Sequence, residues 1–229
     1  MSKVIVIVGF GPGTATAVAE RFAAEGFSVA LVARNEERLA AGVAALSARG
    51  ATAFGFAANA ADPESIRTAI RNIGSQMGPI DVLHWNVYGG LDAGDLLTAG
   101  AASVRAAFDA TVVGLLAAVA EALPDLKKSG SSALFVSNGA FGEISSQMDE
   151  LAVRQHAMGI AVSSAAKNKL VGLLAARLKG DGIYVGEVMV YGTIKGTPSG
   201  DANSIEPARI AEEYWRLYQT RSETRAAVK

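Results

Sequence analysis

The stretch that most constrains this chain is its beginning. Lys3 is followed by Val4-Ile5-Val6-Ile7-Val8, then Gly9-Phe10-Gly11-Pro12-Gly13, then a segment over 14–26 in which Val18 and Phe22 stand one helical turn apart. An unbroken β-branched run is what a strand covered on both faces requires. Three glycines in five residues let the backbone turn sharply and approach a ligand closely. Val18 and Phe22 mark the inner side of a helix that Gly26 ends. Strand, glycine turn and helix start together predict N–H groups aimed at an anion, and a pyrophosphate suits such a site. The spacing departs from G-x-G-x-x-G: Gly9-x-Gly11 is present, but the third glycine falls on Thr14. Pro12 stiffens the turn and lacks an N–H.

The same alternation continues along the chain. Strands are expected over 28–33, 52–57, 80–85, 133–137 and 183–190, with a stub of a seventh over 224–228. Between them, Asn35 caps a helix with Glu36 and Glu37 in its first turn, and Asp62-Pro63 opens another in the expected cap-then-proline order. Ile66, Ile70, Ile73 and Met77 give that second helix an apolar stripe. Longer apolar helices are expected over 102–123 and 157–179, and a last one begins at Pro207. Strands alternating with helices predict a single α/β domain over 1–229. It is of the Rossmann-type doubly wound kind, with a parallel sheet of six to seven strands and helices on both faces. In such sheets ligands sit beyond the carboxyl ends of the strands, beside the first one.

Composition narrows the function classes. The net charge is −1 with the signs mixed, so neither nucleic acid nor an anionic membrane is expected as a partner. With no cysteine and only two histidines, disulfides, thiolate chemistry and a metal cage are not expected, and a cytoplasmic location is compatible. No apolar run approaches about 18 residues, so no transmembrane helix is expected. Gly9, Gly11 and Pro12 interrupt the first apolar run, so no signal peptide is expected either.

These pieces, in this order, resemble the short-chain dehydrogenase/reductase family over nearly the whole chain. Gly9-x-x-x-Gly13-x-Ala15 is similar to the family's T-G-x-x-x-G-x-G turn. Asp81-Val82-Leu83-His84-Trp85-Asn86-Val87-Tyr88 lies where the family has D-V-L-V-N-N-A-G. Lys167 followed by Leu170-Val171-Gly172-Leu173 resembles the helix after Y-x-x-x-K, and Tyr191-Gly192-Thr193-Ile194 resembles P-G-x-V. The resemblance implies a nicotinamide cofactor held by Gly9, Gly11, Pro12, Gly13 and Thr14, by Asn59 and Ala60 at the adenine, and by Asn86 and Val87. It further implies Lys167 at the nicotinamide ribose and Gly192 and Ile194 at the carboxamide. The family's NAD-selecting acid would stand at Ala33; here Arg34 follows it, and a guanidinium there suits a 2′-phosphate, so NADP is expected.

At the catalytic positions the resemblance fails. Four residues before Lys167 stands Ser163 in place of the family's tyrosine. A phenol has a reference pKa of about 10 and can be drawn down by neighbouring cations; an aliphatic hydroxyl cannot usefully reach that range. The family's serine falls on Asn138 or Gly139, with Ser137 one step early, and its helix asparagine falls on Thr111. A replacement phenol can come from Tyr88 or Tyr191, both just past strand ends. His156, two helical turns before Ser163, is a weaker candidate donor, and His84 is expected in the core.

Two functional expectations follow: an NADP(H)-dependent oxidoreductase with an altered active site acting on a carbonyl or alcohol, or a catalytically silent NADP(H)-binding sensor or dimeric interaction protein. The segment over 144–155 is expected as a short amphipathic helix over the active site or a partner, and 196–206, rich in Gly, Ser, Pro and Asn, as a mobile lid. Apolar excess on the helices over 102–123 and 157–179 suits a homodimer. Because the chain stops at Lys229, where the family's last strand would be under way, the family's tetramer contact is not expected.

Overall fold

In the computed structural model, which describes residues 2–229, the apolar runs form β1 (Val4–Val8), β2 (Ser28–Ala33), β3 (Ala53–Ala57), β4 (Ile80–Trp85), β5 (Ala133–Gly139), β6 (Tyr184–Val190) and β7 (Arg225–Val228). They make one parallel sheet in the order β3-β2-β1-β4-β5-β6-β7. The order reverses between β1 and β4, which opens a crevice at their carboxyl ends. Helices α1 (Thr14–Ala24), α2 (Glu36–Ser47), α3 (Pro63–Met77), α4 (Gly100–Phe108), α5 (Gly114–Lys128), α6 (Ser146–Arg154), α7 (Met158–Leu178) and α8 (Pro207–Thr220) complete the chain.

The two-residue period of β1 sorts its side chains between two cores. Val4, Val6 and Val8 pack with Ile66, Ile73, Leu115 and Val171 from α3, α5 and α7. Ile5 and Ile7 pack on the opposite face with Val18, Phe22 and Tyr214 from α1 and α8. Both layers are therefore apolar where they meet the sheet, which is why the strands read as continuous hydrophobic runs. Asn35 and Asp62 cap their helices through Arg38 N and through Glu64 N and Ser65 N, as their positions predict.

Four details differ from the sequence expectation. β5 runs on to Gly139, because Asn138 and Gly139 pair with Met189 and Val190. The helix expected over 102–123 is a longer rod, Gly100–Lys128, whose middle, Asp109–Val113, is a π-helical turn. That rod has the length and hydropathy of a membrane span, but Leu115, Ala118 and Ala122 are buried in the core against the sheet. His156 does not lie on α7; it sits at φ +50° in the turn between α6 and α7.

Candidate active site

The nucleotide end is built from glycines that contact other backbone. Gly9 has φ +86°, and a Cβ there would stand 2.8 Å from Asn86 O. Asn86 Nδ2 in turn donates to Gly9 O at 3.3 Å, which ties the β4 end to the glycine turn. Gly13 has φ +85°, and a Cβ there would meet Thr197 Cγ2 at 2.8 Å. No side chain caps α1, so its first N–H groups face the crevice as an anion site. Thr14 is buried in that first turn, while Pro12 is exposed.

A cleft of about 1080 Å³ opens beside this turn. Gly9, Gly11, Arg34, Asn59, Ala60, Asn86, Val87 and Tyr88 line it. Arg38, which the sequence reading missed, lines it as well, and its Nη1 lies 3.7 Å from where a Cβ on Gly11 would be. The signal was present in the sequence: Arg38 stands one helical turn after Arg34, at the same end of β2. Neither arginine takes part in an ion pair among the described residues. Asn59 folds back on its own loop, its Oδ1 accepting from Ala61 N at 3.2 Å. A cradle of close-packed glycines, a helix N-terminus without a side-chain cap and two unpaired guanidiniums fit a dinucleotide with an additional phosphate.

The catalytic end is rearranged. Ser163 is 1% exposed, and its Oγ donates to Gly89 O at 3.3 Å and to Ile160 O at 3.2 Å. The loop after β4 therefore lies directly on α7. Two glycines allow this contact. A Cβ on Gly90 would stand 2.5 Å from Gly159 C, and one on Gly159 would stand 2.6 Å from Ala93 Cβ. Ser163 is thus sealed in and touches no solvent-facing space. Thr111 is likewise 1% exposed, with its hydroxyl donating to Ala107 O at 2.7 Å within the helix. Asn138 turns beneath α7, where its Nδ2 donates to Ser164 O at 2.9 Å and to Glu187 Oε1 at 2.8 Å.

Lys167 and Tyr88 do come together. Lys167 is 1% exposed, and Nζ donates to Val87 O at 3.1 Å and Ser137 O at 2.9 Å. It lies 5.6 Å from the centroid of the Tyr88 ring, an attractive arrangement of cation and π face. Tyr88 as a whole is 53% exposed, but its hydroxyl end is turned inward over Gly139, where a Cβ would lie 2.7 Å from the phenolic oxygen. Burial of that end pushes the Tyr88 phenol above its usual range, so it stays protonated at neutral pH. Burial pushes the Lys167 ammonium down to about 8, and the Glu187 charge opposes that fall.

Tyr191 stands apart from this pair. Its hydroxyl donates to Glu143 Oε2 at 2.8 Å, and Lys229 Nζ lies 5.1 Å from its ring. The segment after β6 is tied by its own bonds: Ile205 N donates to Thr193 O at 2.9 Å, Lys195 N to Ile205 O at 3.0 Å and Gly200 N to Thr197 O at 2.9 Å. Ile194 packs over Gly13, and Gly192 has φ +154°. The segment over 196–206 is thus a loop with an internal hydrogen-bond frame. His84 is fully buried, as expected, with Nε2 2.9 Å from Ser137 Oγ, which is itself 2.9 Å from Tyr214 Oη. Burial pushes its imidazole down to about 3.

Comparison with known proteins agrees with this construction. The profile of the short chain dehydrogenase family matches residues 3–201. A 3-oxoacyl-(acyl-carrier-protein) reductase of Staphylococcus aureus is 26% identical over 169 residues, covering 72% of this chain and 68% of its own. A 2,3-dihydro-2,3-dihydroxybenzoate dehydrogenase of Bacillus subtilis is 33% identical over 141 residues, covering 60% of this chain and 53% of its own. Among solved structures, L-sorbose reductase from Gluconobacter frateurii, complexed with NADPH and L-sorbose, superposes with a TM-score of 0.85 at 21% identity. It covers 100% of this chain and 95% of its own. An alcohol dehydrogenase from Thermococcus sibiricus gives 0.83 at 19% identity, with coverage of 100% and 96%. With the glycine turn, the strand order and the buried lysine of α7 in place, and the profile spanning most of the chain, this protein belongs to the short chain dehydrogenase family.

Proposed function

We propose that the protein is an NADP(H)-dependent oxidoreductase that reduces a carbonyl, with Tyr88 taking the place of the absent helical tyrosine. The observation that carries this reading is the Tyr88 hydroxyl over Gly139, beside the Lys167 ammonium. Gly139 is one of the two positions at which the family's substrate-binding serine falls, so a phenol oxygen occupies the space of that missing hydroxyl. Gly9, Gly11 and the start of α1 would hold the diphosphate, and Arg34 and Arg38 the 2′-phosphate. The structural relatives crystallised with NADP or NADPH lend support to that cofactor.

When bound, a reduced nicotinamide supplies hydride. The part of this chain is to hold and deliver a proton. The Tyr88 phenol is protonated at neutral pH and donates to the oxygen of the reduced carbonyl; the Lys167 charge against its ring stabilises the phenolate that remains. Once the product has left, the phenolate oxygen regains a proton from water in the cleft that Tyr88 lines. Val113 and Leu116 on the Gly100–Lys128 rod and Val162 and Leu173 on α7 are each 40% to 56% exposed. We read these faces as the contact of a homodimer.

Fluorescence titration with NADPH and then NADH is the first test, with tighter binding of NADPH expected. Turnover of a carbonyl panel by Tyr88→Phe follows, with a loss of roughly 10²–10⁴-fold expected. An undiminished rate in that variant overturns the assignment of Tyr88. A second reading, a silent NADP(H)-binding sensor, is favoured by the double attachment of Lys167 to backbone carbonyls. NADPH binding without turnover on any carbonyl is the result that selects it.

A further inference from the structure

Next to Gly139, the turn after β5 and the end of β6 carry a carboxylate and a phenol that the proposed proton transfer does not use. Gly139 pairs with Val190 across β5 and β6, so Tyr191 begins at the same level of the sheet. Tyr191 N donates to Val228 O at 2.8 Å, which fixes its backbone against β7. The turn Ala140–Gly142 folds back onto α7: a Cβ on Gly142 would stand 2.9 Å from Asn138 Nδ2 and 3.0 Å from Ser164 O. Glu143 N donates to Ala140 O at 2.9 Å, so Glu143 leaves this turn at a fixed place. Its Oε2 accepts from Tyr191 Oη at 2.8 Å, across 48 residues of sequence. Glu143 is exposed and has no cationic partner among the described residues.

We propose that the Glu143–Tyr191 pair is the second anchor of the substrate and selects a short carbonyl compound that carries hydroxyl groups. The proposal rests on the reading of Tyr88 as the proton donor. Its physical basis is the supply of donors and acceptors. Tyr88 offers a donor to the carbonyl oxygen. Tyr191 gives its one proton to Glu143 Oε2, so the outward side of the pair offers lone pairs alone, on Oε1 and on the phenol oxygen. A ligand held there must bring donors, and a hydroxyl on a carboxylate makes one of the stronger hydrogen bonds. A substrate bearing its own carboxylate meets a like charge and is disfavoured. Lys229 Nζ already lies 5.1 Å from the centroid of the Tyr191 ring, which makes a second cation the poorer fit. Neighbouring strands run about 4.8 Å apart, so a chain of a few carbons joins the Tyr88 hydroxyl over Gly139 to the pair beside Val190. A donor at one end and acceptors at the other match the carbonyl oxygen and the hydroxyls of one hydroxyketone.

Three four-carbon ketones separate these features: erythrulose carries hydroxyls, butanone none, and acetoacetate a carboxylate. Their kcat/KM values with NADPH are compared in the native chain, Glu143→Ala and Glu143→Gln. The preference for erythrulose over butanone is expected to fall by about tenfold or more in Glu143→Ala. The discrimination against acetoacetate is expected to ease in both variants. An unchanged ratio of erythrulose to butanone in Glu143→Ala overturns the proposal, as does a native chain that prefers acetoacetate to erythrulose. A binding measurement decides without turnover. With carbon-13 in the glutamate carboxyls and NADP+ present, nuclear magnetic resonance follows the Glu143 signal, assigned by its loss in Glu143→Gln. That signal is expected to shift on titration with erythrulose and to stay in place with butanone. A signal that moves with neither ketone, or equally with both, overturns the proposal. Absence of turnover, or full turnover by Tyr88→Phe, removes the reading of Tyr88 while the erythrulose shift remains, so the two failures are told apart.

Discussion

Ser163 Oγ donates to the carbonyl of Gly89 at 3.3 Å. This bond joins the first half of α7 to the loop that follows β4, and the loop carries Tyr88 immediately before Gly89. The position one turn before Lys167 is thereby covered, while the neighbouring phenol is placed over Gly139. The helix side of the site thus carries a sealed hydroxyl, and the loop side carries a phenol.

Restoring a tyrosine at position 163 is expected to damage the protein rather than improve it. The larger side chain must displace Gly89 and Gly90, which are already in backbone contact with α7. Overpacking of this kind costs about 1–3 kcal/mol. Urea denaturation of Ser163→Tyr should show that loss, whereas Ser163→Ala should keep carbonyl reduction within about threefold, since the hydroxyl bonds only backbone.

Gly139→Ala tests the phenol's position without altering the phenol. A Cβ at 2.7 Å from the Tyr88 oxygen forces the ring aside. Turnover should fall by roughly 10²-fold or more, the scale of a misplaced acid, while the dissociation constant for NADPH stays near that of the native chain. Equal turnover in the two proteins would show that the hydroxyl over Gly139 is not the proton donor.

Arg34→Ala and Arg38→Ala address the cofactor. Each removes a guanidinium that lines the cleft and has no acidic partner among the described residues. A charged hydrogen bond to phosphate is worth about 1.5–3 kcal/mol, so NADPH binding should weaken by about 10–100-fold in each variant, with NADH binding little changed. Equal losses for both cofactors would assign these arginines to the shared diphosphate instead.

Stability should decline on mild acidification because of His84. Its folded pKa, about 3, lies below the unfolded value near 6.5, so the unfolded chain binds more protons between them. Folding free energy is therefore lost as pH falls through that window, at up to about 1.4 kcal/mol per pH unit. Urea midpoints at pH 7 and pH 5 give the slope, which should be shallower in His84→Asn. An identical slope in the variant would place the acid sensitivity elsewhere.

The fold was legible in the sequence because its signals are local. β1 announces itself by five apolar residues, and α3 by Asp62, Pro63 and an isoleucine stripe. The site was legible only in part. Arg34 and the glycine turn lie where spacing puts them, and Tyr88 was one of two phenols that strand ends bring forward. The sealing of Ser163 was not readable, since it depends on Gly90 meeting Gly159, residues far apart in sequence that carry no side chain to betray a contact. The π-helical turn at Thr111 was hidden for a related reason: five helical residues look alike whether their bonds span four positions or five.

The Gly90–Gly159 contact also sets the order in which this site can change. A tyrosine at 163 is accommodated only after the loop has lifted, and lifting the loop moves Tyr88 away from Gly139. The two placements of a phenol are thus separated by an arrangement that holds neither in place. A tyrosine at 163 and the placement of Tyr88 over Gly139 therefore exclude each other, so passing from one to the other takes changes made together in the loop and in α7.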